Sequence, residues 1–301
     1  MNANIEEKEP PTVIVIAGPN GSGKSSITAA NVGDPEVFSG EYINADDIAR
    51  ELANDIPDDR ERNLKAAQIA EARRLTALSE GRDFAFETVM STPEKVALMT
   101  QAKALGYRVS LVFVTTADPE INVGRVAGRV ADGGHAVDPD AIRRRYHAAM
   151  ALLPAAFEQA DQAAVWDNTE DEPLLVATKS DEQVAYPDEG AEVPWVAEKL
   201  AGPYMQRLAS RKLLSASLND GQPVHVAEAV NGKDYVGQVL RVTAHHVLQE
   251  VGGERLLHDR QLAATATFEV GREQAVGYRY QHGKIAPDDA PAPAARPHAP
   301  K

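Results

Sequence analysis

The chain contains no cysteine. Disulfides, thiolate zinc sites and cysteine nucleophiles are thereby excluded. It also lacks any apolar run near the roughly 20 residues that a membrane-spanning helix needs. Its first residues, MNANIEEKEPP, are polar and acidic and do not read as a secretory signal. Together these features point to a cytoplasmic protein that does not engage a membrane. Positive charge is scarce as well. With 31 Lys and Arg against 45 Asp and Glu, the net charge is −14. That balance argues against a broad nucleic-acid-binding surface, because such binding draws on excess Lys and Arg. What remains is ordinary for a globular chain, 43% hydrophobic and 25% charged over 301 residues, long enough for two domains.

The stretch Gly18-Pro19-Asn20-Gly21-Ser22-Gly23-Lys24-Ser25 fits the phosphate-binding pattern G-x-x-x-x-G-K-[ST]. The β-branched run Thr12–Ala17 before it reads as a buried strand, and Ser25-Ser26-Ile27 after it opens a helix. Glycines let the backbone approach a phosphate, and successive N–H groups at a helix N-terminus form an anion cradle. Lys24 can reach the β- and γ-phosphates, and the Ser25 hydroxyl can ligate Mg²⁺. The expected ligands are ATP and Mg²⁺.

Strand and helix signals alternate from residue 12 to about 179. Strands are expected at Glu41–Asn44, Phe84–Phe86, Arg108–Thr115 and Ala163–Trp166, with helices between them. This pattern predicts a mostly parallel sheet covered on both faces. Ligands of such sheets sit beyond the carboxyl ends of the strands. There the chain places Asp46-Asp47 and Glu87, while its strongest apolar strand ends in Thr115-Thr116 without an acid. A carboxylate beside the γ-phosphate can take the proton of an attacking hydroxyl, the task of a kinase base. Helix capping is the rival role for Asp46 and Asp47. Arg125, Arg129 and Arg143-Arg144-Arg145 make a basic island around the glycine loop Asp132–His135. That island resembles a lid over a nucleotide, although a solvated basic face accounts for at least one of the three consecutive arginines.

Residues 180–196, acidic and proline-bearing, read as a linker. A helix is expected over Ala197–Ser217, then a small β-rich domain with strands near Pro223–Val230, Asp234–Thr243, Thr265–Val270 and Gly277–His282. The tail from 287 to 301 is Pro/Ala-rich and expected to be disordered.

Residues 12–169 resemble the zeta toxins, the kinase halves of toxin–antitoxin pairs. The resemblance rests on the loop Ala17–Ser25, Tyr42-Ile-Asn-Ala-Asp-Asp-Ile-Ala49, Phe84-Ala-Phe-Glu-Thr-Val-Met-Ser91, Gly106–Val114, Arg125–His135, Ile142–Tyr146 and Asp167-Asn168. It implies a P-loop kinase-like α/β fold, a parallel sheet flanked by helices, here followed by the small β-rich domain. The implied reaction is ATP-dependent phosphorylation of UDP-N-acetylglucosamine at the sugar 3′-hydroxyl. Carried over by position, Lys24 and Ser25 bind phosphate and Mg²⁺ within the loop Gly18–Ser26. Asp46 is the base, and Glu87, Thr88 and Ser91 contact the nucleotide sugar. Arg125, Arg129 and Arg145 clamp the phosphates. Related kinases of this group choose other nucleotides, including NAD. A separately encoded small antitoxin is the implied partner. Asp234–Leu240, Gln249, His258 and Gly277–Gly283 are similar to the KfrB-type domain of plasmid-borne proteins. A non-catalytic nucleotide-binding module acting through its C-terminal domain is the competing reading.

Overall fold

The computed structural model describes residues 9–32, 38–131, 136–216 and 221–280. The expected glycine loop at 132–135 and the tail lie outside these residues.

The chain runs through strand β1 (Thr12–Ala17), helix α1 (Lys24–Val32), β2 (Glu41–Ile43), α2 (Ala45–Glu51), α3 (Asp59–Glu80), β3 (Phe84–Thr88) and α4 (Pro93–Ala104). It continues with β4 (Arg108–Thr115), α5 (Pro119–Ala131), α6 (Pro139–Gln159), β5 (Gln162–Asp167), β6 (Leu174–Ser180) and β7 (Gln183–Ala185). These seven strands form one sheet in the order β2-β3-β1-β4-β5-β6-β7. The first five run parallel, and β6 and β7 are antiparallel additions at the edge. β1 lies between β3 and β4, with Ile16 opposite Glu87 and Val112. The loop after β1 therefore emerges at the centre of the carboxyl edge, flanked by whatever β3 and β4 carry there.

Local signals explain the helix ends. Asn44 caps α2 by accepting from the Asp46 N–H, so neither Asp46 nor Asp47 is the cap. Asp58 caps α3, which stops at Gly81 in the left-handed conformation at φ 64°. Asp138 caps α6, with Pro139 in the first turn. α6 passes through Pro154 to Gln159. The last two turns are almost wholly buried, so packing holds the helix where local propensity would end it.

The expected linker is structured. After β7 come α7 (Asp188–Ala191), a π-helix (Val196–Ala201) and α8 (Gly202–Ala216). Acidic residues 181, 182, 188, 189 and 192 face solvent, which gives the stretch its linker-like composition. Gly190 packs against the backbone of β6, where a Cβ would meet Val176 Cα at 2.5 Å. Trp195, Val196 and Leu200 join the main core.

The C-terminal unit is a five-stranded sheet ordered β12-β9-β10-β11-β8, from β8 (Val224–Val226), β9 (Asp234–Val242), β10 (His246–Val251), β11 (Glu254–Asp259) and β12 (Glu273–Gly277). All its pairings are antiparallel except β11 with β8. Thr265–Val270, expected as a strand, is irregular. Its Thr265 hydroxyl instead bonds Ala275 O and accepts from the Gly277 N–H of β12. Ala229, Leu262 and Tyr278 join the same core as β1, α4 and α6. Thr100 and Gln101 of α4 bond both backbone groups of Ala229.

A buried charge cluster fastens α8 between the two sheets. Arg207 donates to Glu158 of α6 at 2.5 Å and to Asp259 of β11. Ser210 bonds His246 Nδ1 at 2.8 Å. Burial alone would raise the Glu158 pKa, but the His246 hydrogen bond and the charges of Arg207 and Arg211 hold it down at about 2.

Candidate functional site

The loop 18–23 takes its shape from glycines held in positive φ and from close neighbours. Gly18 sits at φ 144°, and a Cβ there would lie 1.9 Å from Val114 O. At Gly23, φ 88°, a Cβ would lie 2.1 Å from Asn168 Nδ2. Two asparagines brace the loop from outside. Asn122 of α5, fully buried, donates to Asn20 O at 2.7 Å and accepts from the Thr116 hydroxyl. Asn168, just after β5, donates to Ser22 O at 2.8 Å.

Lys24 opens α1 and folds back over the loop, with Nζ donating to Gly18 O and Pro19 O at 2.8 and 2.9 Å. Removal from water lowers its pKa to about 8. The carboxylates of Glu87 and Asp46 work against that shift, and Arg129 adds to it. Ser22 Oγ is fully buried and has no hydrogen-bond partner among the described residues. A buried hydroxyl without a partner among the described residues, a desolvated lysine and a glycine cradle at a helix N-terminus together fit a bound polyphosphate.

Glu87 is the penultimate residue of β3, just before Thr88. Its Oε1 accepts from the Thr28 hydroxyl of α1 at 2.6 Å, and the Tyr42 phenol of β2 donates to the same carboxylate. Burial, with the Glu87 charge and hydrogen bond next, raises the Tyr42 pKa and keeps it a donor. Asn44 in turn donates to Tyr42 Oη at 3.1 Å. Asp46 is exposed, and its carboxylate accepts no hydrogen bond among the described residues. The Thr88 carbonyl accepts from the Gly18 N–H, and its hydroxyl accepts from the Met90 N–H. Met90 is buried at φ 53°, a conformation uncommon outside glycine. Ser91 follows, half-buried.

The arginines divide. Arg129 acts on Lys24. Arg145 reaches the loop through Asn20 Oδ1 at 3.3 Å. Arg125 is turned to the carbonyls of Asn168 and Thr169, at 2.6 and 3.2 Å. Arg143 pairs with Glu120 and Asp140 at the surface, the solvated role expected of one of the three consecutive arginines.

Sequence reasoning placed the loop, Lys24, Asp46 and Glu87 at one edge, and they meet there. It did not find Thr28, Asn122 or the Tyr42 contact to Glu87. A hydroxyl one helical turn after Lys24 was the available signal for Thr28. The other two depend on chain crossings that no local pattern shows.

An AAA domain model matches residues 13–153, and a KfrB domain model matches residues 234–287. An uncharacterized protein of Haemophilus influenzae is 29% identical over 133 residues, 44% of this chain and 91% of that protein. The native AvrRxo1-ORF1:-ORF2 complex is similar in structure at TM-score 0.53 and 16% identity, over 66% of this chain and 66% of that one. The same complex with ATP gives TM-score 0.51 and 16% identity, over 64% of each chain. With the sheet order and the loop above, the chain has a P-loop kinase-like fold carrying a second, β-rich unit.

Proposed function

We propose that this chain is an ATP-dependent kinase acting on an alcohol of a nucleotide sugar, with the 3′-hydroxyl of UDP-N-acetylglucosamine as the leading acceptor. One observation carries the reading: the glycine loop and Lys24 share the carboxyl edge of the sheet with two carboxylates from separate elements, Asp46 just after β2 and Glu87 in β3, whose charges reach that lysine. In this reading backbone N–H groups of the loop beyond Pro19 and the Lys24 ammonium hold the β- and γ-phosphates of ATP. Ser25 holds Mg²⁺, which neutralises phosphate charge. Asp46 takes the proton as the acceptor oxygen attacks the γ-phosphorus and ADP leaves. Its exposure, and the lack of hydrogen bonds to its carboxylate among the described residues, leave its lone pairs available. Glu87, fixed by Thr28 and Tyr42, contacts the nucleotide sugar with Thr88 and Ser91. Arg129 and Arg145 clamp the phosphates, and Arg125 joins them once it leaves the carbonyls it now holds.

The structures of AvrRxo1-ORF1 are of a complex with a second protein, ORF2, one of them with ATP. That complex favours a partner protein here too; with the resemblance to zeta toxins, this chain is read as the toxin of a pair whose small antitoxin is separately encoded, working in the cytoplasm. The test is transfer of labelled phosphate from ATP to UDP-N-acetylglucosamine, UDP-glucose, NAD and a DNA oligonucleotide. Expected is transfer to UDP-N-acetylglucosamine that Asp46→Ala abolishes. Transfer to another acceptor replaces the substrate and keeps the chemistry. Nucleotide binding with no transfer overturns the kinase reading.

A further inference from the structure

Trp195 lies in the acidic stretch between the two units, outside every motif considered above, yet it is buried at 7% exposure. Its indole Nε1 donates to Asp167 Oδ2 at 2.6 Å. Asp167 ends β5 and is buried as well, at 6% exposure. Its other oxygen accepts from the Thr169 N–H at 2.7 Å. The short loop held in this way is the one that meets the phosphate site. Asn168 Nδ2 reaches Ser22 O, Asn168 N bonds Thr115 O, and the Thr169 hydroxyl accepts from the Ala117 N–H. The two carbonyls that receive Arg125 belong to the same pair of residues.

We propose that Trp195 is a positioning residue of the nucleotide site: its N–H fixes the Asp167 carboxylate, which sets the 168–169 loop that braces Ser22 and Arg125. The inference rests on the nucleotide-binding reading above. A buried carboxylate needs its donors, because losing one leaves an uncompensated acceptor. The chain after Trp195 runs directly into the π-helix and α8, which Arg207 and Ser210 lock to the C-terminal sheet. Trp195 thus ties the place where the second unit is anchored to the rim of the phosphate loop.

The test is titration calorimetry of Mg·ATP with the full chain. Trp195→Phe keeps an apolar ring and removes the donor. It is expected to weaken Mg·ATP binding about tenfold at a temperature where circular dichroism shows the variant folded. Combined with Arg125→Gln, its effect is expected to be non-additive, since both act on one loop. A merely structural residue would lower the unfolding temperature and leave folded-state affinity and additivity untouched. A folded Trp195→Phe within twofold of wild type, or strict additivity with Arg125→Gln, overturns the proposal. The chain has two tryptophans, so in Trp166→Phe the only indole is Trp195. Its emission is expected to change with Mg·ATP and saturate at the calorimetric affinity, and a flat signal also overturns the proposal. This arm decides the matter if Trp195→Phe does not fold. Wild type that binds no Mg·ATP overturns the underlying reading and this proposal with it. Wild type that binds while the variants behave like it overturns this proposal alone.

Discussion

Nucleotide affinity should fall above pH 8, and the size of the fall follows from one side chain. Burial lowers Lys24 to about 8 in the empty protein, with Glu87 and Asp46 opposing the shift and Arg129 assisting it. A bound polyphosphate brings negative charge to the ammonium and raises its pKa, so above pH 8 binding must take up a proton. At about pH 9, roughly one protein in eleven has Lys24 charged, which makes binding about tenfold weaker, or about 1.4 kcal/mol. At about pH 7 nearly all are charged, and affinity is on its plateau. The contribution of Lys24 to folding has the opposite slope. A lysine whose folded pKa is depressed stabilises the fold increasingly as pH rises from about 8 toward its unfolded value. Weaker binding in that window is therefore not loss of fold through this group. Calorimetry with Mg·ADP from about pH 7 to 9.5 checks the prediction, with Lys24→Met as the control. Wild-type affinity that stays level to about pH 9.5 refutes the reasoning, as does a fall of the same size in Lys24→Met.

Other perturbations separate the fold from the site. Gly18→Ala should lose both nucleotide binding and stability, since its Cβ meets the β4 backbone at 1.9 Å. Gly23→Ala meets only the Asn168 amide and should keep the fold at a cost of about 1–3 kcal/mol while losing affinity; thermal melts and nucleotide titrations distinguish the pair. Arg207→Met takes its charge from buried Asp259 and leaves Glu158 with Arg211 and His246, and chemical denaturation should show a loss of about 3–5 kcal/mol. Acid should lower the stability of the fold over two pH windows, read by chemical denaturation at stepped pH. Burial lowers His258 to about 4, so its contribution fades as pH falls from about 6.5 toward 4. Glu158, held at about 2, loses its contribution as pH falls from about 4.5 toward 2.

Much of the phosphate site is written in consecutive residues. The loop, the strand before it and the acids at the ends of β2 and β3 are each local patterns, and a parallel sheet necessarily brings strand ends to one edge. What was not legible arises where distant segments cross. Asn122 and Asn168 brace the loop from 102 and 146 residues away. Composition misled at 180–196, because the acids that mark a linker also form the wet side of a packed segment. The β-branched text of Thr265–Val270 reads as a strand, but the segment is irregular while its Thr265 hydroxyl serves β12. Arg125 and Arg129 share a helix, and only the structure separates the one turned to backbone carbonyls from the one acting on Lys24.

The most direct test of the central claim is phosphate transfer from labelled ATP to UDP-N-acetylglucosamine by wild type and Asp46→Ala side by side, with Mg·ATP affinity measured for both. The account predicts product from wild type, none from Asp46→Ala, and similar affinities. Product from Asp46→Ala at the wild-type rate would contradict the assigned base. Binding by wild type without transfer to any acceptor of the panel would contradict the kinase reading itself.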